Sequence, residues 1–283
     1  FGSYTLDNAT EVTGLTVEFG GGNGVACLRL VKSEVSIEDS LIQDCEGDGV
    51  NADDGSLLTL SGSTVQDAED YGVYAYGLGS SGGPTFANNT ITGNGGQPVR
   101  ISASSWHQLD NSSTYTGNGT DTVRVADGLI TKVNTTIQLL DVDYHVVGDV
   151  RIGDGTGTVD VEDGVTFYND TGVRWTVAYS GAGDLTAAGT NGIVWTSAQS
   201  APGTGDWEGI HIQSGSSSAT VLDHVTVEYA GDSLGAAIYC YFANPTVSNS
   251  TLQYSSGYGF YGYYCSATLS TNTYANNDGP DTN

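Results

Sequence analysis

The chain has 283 residues, including 41 Gly, 5 Pro and no Met. Its 33 acidic residues against 7 Lys and Arg give a net charge of −26, which argues against nucleic acid and anionic membranes as partners. No apolar run is long enough for membrane insertion, and no long segment has helical periodicity. Recurrent Val, Ile, Thr and Tyr between Gly-rich turns predict many short β-strands.

A repeat is visible in the first third of the chain. Segment 40–44 (SLIQD) is matched 23 residues later by 63–67 (STVQD), and segment 89–92 (NTIT) begins 26 residues after Ser63. Alternation in 57–60 (LLTL) places every second side chain inward. A coil of 23 to 26 residues with two or three strands cannot bury its apolar face alone, whereas stacked coils share one core.

The middle of the chain, from about residue 120 to 200, lacks this regular repeat. Segments 144–152 and 159–167 look like the opening coils of a new unit, and the coil containing Trp207 follows them. We therefore predict that residues 1–125 form the latter coils of a first unit. Residues 126–283 form the opening and middle coils of a second unit, in one continuous solenoid.

Three motifs connect the sequence with a known family. They are 205–210 (GDWEGI), 222–231 (LDHVTVEYAG), and Asn- or Ser-bearing coils such as 249–252 (NSTL). In these motifs the chain resembles the right-handed parallel β-helix proteins of microbial cell surfaces, the pectin-lyase-like superfamily. The resemblance implies an all-β, right-handed parallel β-helix (β-solenoid) of roughly a dozen coils of about 23–26 residues. It implies a fold and no single function, because this fold serves lyases, hydrolases, adhesins and spacers.

The phase of the repeat leads to a prediction of function. Segment 15–21 (LTVEFGG) is a near copy of 225–231 (VTVEYAG), but a Gly-Asp-Trp coil precedes only the second copy. The chain is thus expected to begin part-way through a unit, with open strand edges at both ends. Head-to-tail stacking of such ends would build an extracellular filament or surface layer from copies of the chain. The alternatives are a glycan-binding adhesin or stalk segment, and a polysaccharide lyase or glycoside hydrolase.

Catalytic residues are not assigned, and no enzyme is expected. A lyase of this fold would need an Arg or Lys base beside acidic calcium ligands. No two basic residues are expected to lie at stacking distance; they are Arg29, Lys32, Arg100, Arg124, Lys132, Arg151 and Arg174. The histidines do not cluster in the sequence and are expected to be surface or packing residues, not ligands; they are His107, His145, His211 and His224. The tryptophans are expected to pack in turns or in the core, with a sugar-stacking surface as the alternative; they are Trp106, Trp175, Trp195 and Trp207.

One Gly-punctuated turn, 48–55 (DGVNADDG), could bind a cation. Its oxygen-bearing side chains are Asp48, Asn51, Asp53 and Asp54. Carboxylate and amide oxygens are the ligands that calcium prefers. A structural calcium at this turn is the only cofactor that the sequence suggests.

Two disulfides and several glycosylation sequons point to the cell exterior. Cys240 and Cys265 are 25 residues apart and should stack on adjacent coils, whereas Cys27 and Cys45 are 18 apart, less than one coil. We predict both bonds. Asn-x-Ser/Thr acceptors for N-linked glycans occur at Asn8, Asn88, Asn111, Asn118, Asn134, Asn169 and Asn249. An extracellular or cell-surface location is therefore expected.

Overall fold

The computed structural model describes residues 4–6, 10–53, 56–75, 86–131, 134–155 and 157–283. They form an all-β parallel solenoid of about 10 turns, which confirms the predicted fold class with slightly fewer turns than the predicted dozen. The chain divides into two compact units: Phe1–Ala126 with Leu140–Asp143, and Asp127–Leu139 with Tyr144–Asn283. No helix among the described residues has the length and hydropathy needed to cross a membrane.

Unit 1 contains fourteen of the described strands and one short 3-10 helix, η1, at Ala103–Gln108. The strands are β1 (Tyr4–Leu6), β2 (Thr10–Thr13), β3 (Thr16–Glu18), β4 (Leu28–Val31), β5 (Glu34–Glu38), β6 (Leu41–Cys45), β7 (Val50–Asp53), β8 (Leu57–Ser61), β9 (Thr64–Ala68), β10 (Val73–Ala75), β11 (Phe86–Ala87), β12 (Thr90–Thr92), β13 (Val99–Ser102) and β14 (Thr122–Ala126).

Three parallel sheets form the walls of unit 1. Their strand orders are β1-β4-β7-β10-β13-β14, β2-β5-β8-β11 and β3-β6-β9-β12. Up to β10, each strand therefore pairs with the strand three places later in the chain, one coil on; β13 pairs with the next strand, β14. Val50 pairs with Val73 and Leu41 with Thr64, which confirms the registers predicted from the repeat. In β8, Leu58 and Leu60 are fully buried, because alternate strand residues point to the core.

Unit 2 contains the remaining strands, β15 to β30. They are β15 (Gly128–Ile130), β16 (Thr135–Ile137), β17 (Asp143–Val146), β18 (Val150–Gly153), β19 (Thr158–Val161), β20 (Thr166–Asn169), β21 (Arg174–Tyr179), β22 (Asp184–Ser197), β23 (Gly209–Ile212), β24 (Val221–Glu228), β25 (Ala236–Tyr241), β26 (Thr246–Ser248), β27 (Thr251–Gln253), β28 (Tyr258–Tyr263), β29 (Thr268–Ser270) and β30 (Thr273–Ala275).

One wall of unit 2 is a six-stranded parallel sheet in the order β15-β18-β21-β23-β25-β28. On the other walls, the 14-residue strand β22 pairs with both β19 and β20, and its own pairing to β24 shifts register between Ala188 and Ile193. Its coil is long: Leu185 donates its N–H to Thr220, 35 residues away. This lengthening explains why the middle of the sequence lacks the regular repeat.

Aromatic residues fill part of the core of unit 2. The ring of Phe167 lies 4.8 Å from that of Trp175, 5.0 Å from that of Trp195 and 5.7 Å from that of Tyr144, measured between centroids. Trp175 also donates its indole N–H to Asn169 Oδ1 at 2.9 Å. All four tryptophans are at most 1% exposed, so the prediction that they pack inside is confirmed.

Buried polar side chains line one corner of unit 1, where the chain turns from one sheet to the next. Ser40 donates its N–H to Ser63 Oγ, Ser63 to Asn89 Oδ1, and Asn89 to Ser113 Oγ. Each side chain therefore satisfies a backbone N–H of the preceding coil. Such pairing is needed at a buried corner, where strand ladders are interrupted.

Both predicted disulfides are present. Cys27 precedes β4 and Cys45 ends β6, so this bond closes a single coil on itself. Cys240 and Cys265 are also bonded, but they are not stacked in register as predicted. The register partner of Cys240 is Gly262, because this coil advances fewer residues than the 25 that separate the cysteines. Cys265 reaches back from beyond the end of β28.

Candidate functional site

Six aromatic side chains project from one edge of the six-stranded sheet of unit 2. We define the aromatic face as Tyr239, Tyr241, Phe242, Tyr261, Tyr263 and Tyr264. The exposed fractions are 41% for Tyr241, 46% for Phe242, 43% for Tyr263 and 73% for Tyr264. Large hydrophobic groups that cluster on a surface in this way usually mark a binding site.

The aromatic face consists of three columns, each with one ring from β25 or its end and one from β28 or its end. Tyr239 stacks on Tyr261 at 5.2 Å, with 17° between the ring planes. Phe242 stacks on Tyr264 at 4.9 Å and 17°. In the third column Tyr241 stacks on Tyr263. The ring plane of Tyr241 makes an angle of 72° with that of the neighbouring Phe242.

Strand geometry explains why these side chains point outward. In β25, Ile238 and Cys240 are buried, so the alternation of the strand turns Tyr239 and Tyr241 to the outside. Phe242 and Tyr264 follow their strands with φ of 49° and 48°, a left-handed conformation that ends the strand at the same place in both coils. The parallel register then aligns the columns, with Tyr239 opposite Tyr261.

A groove of about 370 Å³ adjoins the aromatic face. It is lined by His211, Gln213, Ser214, Leu234, Tyr239 and Tyr241. His211 is the register partner of Tyr239 and meets that ring edge-on at 5.0 Å. Both of its ring nitrogens are buried and have no hydrogen-bond partner among the described residues. Unpaired donors and acceptors of this kind are costly, which makes the ring a candidate for contact with a ligand after a small rearrangement.

The groove carries no formal charge at neutral pH. Burial, together with the nearby charge of Arg174, lowers the pKa of His211 to about 4, so the imidazole is neutral at pH 7. Arg174 itself is ion-paired with Glu208. Burial, together with the neighbouring Tyr261, raises the pKa of Tyr239, so its phenol keeps its proton.

The predicted calcium turn is only partly described, since Asp54 and the side chain of Asp53 lie outside the described residues. Asp48 accepts hydrogen bonds from Asn51 Nδ2 at 3.0 Å and from the N–H of Tyr71 at 3.2 Å. Burial raises the pKa of Asp48. The amide of Asn51 thus directs its donor, not its oxygen, towards Asp48, and these two residues do not fit a calcium site in this arrangement. A group of three or more His, Cys, Asp or Glu suited to a metal is absent from the described residues.

The prediction that no two basic residues stack is wrong. Arg100 and Arg124 are register partners on β13 and β14, and the guanidinium of Arg100 also lies 4.7 Å from the ring centroid of Tyr74. The two arginines are one coil apart in the sequence, and the strand register places them side by side. Of the histidines, His145 contacts Asp170 at 2.8 Å and His224 contacts Asp223 at 3.0 Å.

The sequons fall into two groups. Asn88, Asn111, Asn134 and Asn249 are exposed, whereas Asn169 is fully buried and Asn118 is half-buried with its amide hydrogen-bonded inside unit 1. Asn8 lies outside the described residues, as does Lys132.

Sequence reasoning missed the aromatic face. Its signal was the pair of runs 239–242 (YCYF) and 261–264 (YGYY), which have aromatic residues at the same three positions. The tryptophans, which were the sequence-based candidates for sugar stacking, lie in the core.

Comparisons with known proteins bear on the fold. The sequence model of the family described as right handed beta helix region matches residues 2–137. The resemblance drawn from the coil motifs is therefore confirmed. This family includes both enzymes and non-enzymes, so the match does not decide whether the chain is catalytic. No curated protein and no solved structure matches the chain.

Proposed function

We propose that this β-helix protein is an extracellular, non-catalytic binding protein whose aromatic face and adjoining groove hold a neutral polysaccharide. The observation that carries the proposal is the set of exposed aromatic columns beside a groove without charge. A sugar ring combines an apolar C–H face, which packs on aromatic rings, with hydroxyl groups that need hydrogen-bond partners. The aromatic face offers rings for the C–H face of a sugar, and the groove offers polar groups for its hydroxyls.

The polar groups of the groove favour an uncharged ligand. Gln213 and Ser214 can donate and accept hydrogen bonds, and neutral His211 has one donor and one acceptor nitrogen. An acidic polysaccharide would meet a protein of net charge −26 without a cation in the groove to bind its carboxylates. The charge balance therefore supports neutral glycans over uronic acid polymers.

The disulfides support the extracellular part of the proposal. Two bonds, Cys27–Cys45 and Cys240–Cys265, indicate an oxidising compartment. A high negative charge also keeps a protein with an exposed aromatic surface soluble.

Binding to soluble polysaccharides tests the proposal. We expect retarded migration in native gels that contain a neutral β-glucan, mannan or galactan, and unchanged migration with polygalacturonate. Replacing the two most exposed rings, in the Phe242→Ala, Tyr264→Ala double variant, should weaken binding at least about tenfold, or about 1.4 kcal/mol. Tyr254→Ala is the matched control, because Tyr254 belongs to another stacked pair of unit 2, with Tyr229 at 5.1 Å.

Two outcomes would contradict the proposal. One is the absence of retardation in each neutral polysaccharide. The other is equal loss of binding in the control and in the double variant. Release of reducing ends from a retained polysaccharide would instead show catalysis and overturn the non-catalytic part.

End-to-end assembly into a filament or surface layer stays a prediction from the repeat phase. The aromatic face belongs to the last two strands of the six-stranded sheet, and the binding proposal does not depend on contacts between end coils. Electron microscopy of the native material tests the assembly directly. Filaments with a constant axial repeat would establish it, and discrete particles would rule it out.

A further inference from the structure

Three of the seven sequons begin at an exposed corner, that is, at an asparagine in a turn just before a strand. We propose that Asn88, Asn134 and Asn249 carry N-linked glycans, whereas Asn118 and Asn169 are structural residues that stay unmodified. The inference rests on the extracellular location proposed above, but it is independent of polysaccharide binding.

The three corner asparagines share a backbone conformation. Their φ angles are 55° at Asn88, 56° at Asn134 and 51° at Asn249, and all three are exposed. Asparagine adopts this left-handed region more readily than most residues. The same corner in earlier coils of unit 1 has Asp39 with φ 47° and Gly62 with φ 57°, so the conformation belongs to the coil and not to the sequon.

Each corner asparagine is followed by a buried residue and then by a threonine in a strand. The buried residues are Asn89, Thr135 and Ser250, at 2%, 1% and 1% exposure. The threonines are Thr90, Thr136 and Thr251, none of which is fully buried. Alternation along the corner thus turns the first and third residues of the sequon outward, which presents both the amide and the hydroxyl to solvent.

The amide groups of the corner residues are accessible. The side chains of Asn88 and Asn134 make no hydrogen bond with described residues. Asn249 donates Nδ2 to Asp223 Oδ1 at 2.8 Å on the exposed surface. A surface bond of this kind is worth little, because water can replace the partner.

The structural asparagines use their amides inside the coil. Asn169 is 0% exposed, donates Nδ2 to the carbonyls of Phe167 and Thr196, and accepts the indole N–H of Trp175. A glycan on Nδ2 would leave no room for these contacts.

Asn118 occupies the inward position of its corner. It donates Nδ2 to the carbonyls of Ile91 and Tyr115 and accepts the N–H of Asn94 at 3.1 Å. Asn111 is exposed, but the hydroxyl of Ser113 in its sequon is buried and donates to Asp110, so it is not among the three sites.

The modification is a glycosyl transfer from a lipid-phosphate-linked oligosaccharide. The Nδ2 atom of asparagine forms a bond to the anomeric carbon of the sugar. The bond from that carbon to the phosphate oxygen breaks, the lipid phosphate leaves, and one amide proton is lost. The reaction needs an accessible Nδ2 and the Ser or Thr hydroxyl of the sequon.

Mass spectrometry of the secreted, folded protein tests the assignment. The chain is expressed in a eukaryotic secretory host, and the folded monomer is isolated by size-exclusion chromatography. Enzymatic release of glycans in heavy-oxygen water then marks each occupied asparagine as labelled aspartate. We expect label at Asn88, Asn134 and Asn249, and none at Asn118 or Asn169.

Threonine variants provide matched controls. Thr90→Ala, Thr136→Ala and Thr251→Ala should each remove one glycan from the intact mass. Thr171→Ala destroys the sequon of Asn169 and should leave the mass of the glycans unchanged. Label on Asn118 or Asn169 in the folded fraction, or an empty corner sequon, would overturn the corresponding assignment.

Discussion

Tyr241 and Tyr263 are register partners on adjacent strands, and their rings stack almost in parallel, with centroids 5.6 Å apart and 5° between planes. Both side chains are more than two-fifths exposed. The pair is held by the strand register beneath it, in which Cys240 is opposite Gly262. The orientation of the exposed rings therefore depends on the packing of buried neighbours, which gives a binding surface that is ordered before any ligand arrives.

The stacked pair should contribute to stability as well as to binding. In a double-mutant cycle with Tyr241→Ala and Tyr263→Ala, we expect a coupling free energy of about 0.5–1.5 kcal/mol, as is typical of aromatic pairs. Urea unfolding followed by circular dichroism measures it. The cycle of Tyr241→Ala with Tyr254→Ala is the control, and it should show additivity. Equal coupling in both cycles would mean that the stacking contact is not its source.

His211 should make stability depend on pH. Burial lowers the folded-state pKa to about 4 from the ordinary value of 6.5. Between these values the unfolded chain binds a proton that the folded chain does not, so the free energy of unfolding rises with pH and is fully restored above about 6.5.

His211→Gln should flatten that pH dependence. Urea unfolding of the variant and the unmodified protein at several pH values between 4 and 7 gives the difference. His224→Gln serves as the control, because that imidazole is 44% exposed and paired with Asp223. A pH profile that is unchanged by His211→Gln would contradict the assignment.

Asn169 should be among the residues most sensitive to substitution. Asn169→Ala removes the side chain that accepts the indole N–H of Trp175 and donates to the carbonyls of Phe167 and Thr196. Because each orphaned buried group costs about 1–3 kcal/mol, we expect a loss of at least about 2 kcal/mol in unfolding free energy. Asn134→Ala, at an exposed corner, should change it by less than about 0.5 kcal/mol. Similar losses in the two variants would refute the distinction between corner and core asparagines.

The disulfide within one coil should stabilise the folded chain mainly by restricting the unfolded one. Cys27 and Cys45 enclose a separation of 18 residues, for which chain entropy predicts about 3 kcal/mol. The Cys27→Ala, Cys45→Ala double variant should therefore unfold at lower urea concentration. Treatment of the double variant with reductant tests Cys240–Cys265 in the same way. An unchanged unfolding midpoint in the double variant would show that the Cys27–Cys45 bond does not stabilise the folded chain.

Asp48 allows the predicted calcium to be tested. Burial raises its pKa, so its charged form is disfavoured in the fold and its stabilising contribution is lost as pH rises through the folded pKa. Asp48→Asn should thus not lower stability at pH 7. A calcium bound through Asp48 would give the opposite result: added calcium would stabilise the unmodified protein and not the variant.

The sequence by itself determined the parallel solenoid, the registers of the first unit and the disulfide pairs. These features depend on alternation along a strand and on a nearly constant coil length, both of which are local properties. Val50 opposite Val73 and Leu41 opposite Thr64 follow directly from the repeat.

Only the tertiary structure decided which side chains meet on the surface. Coils of unequal length change the register, so Cys240 lies opposite Gly262, and Leu185 is bonded to Thr220 across a long coil. Arg100 and Arg124 are register partners although the sequence analysis placed no two basic residues together, because strand register and not residue count alone decides which side chains meet. The direction of each asparagine also depends on its place at a corner, outward at Asn88 and inward at Asn118. A sequence repeat gives the spacing of the coils, whereas register and corner conformation place each side chain within them.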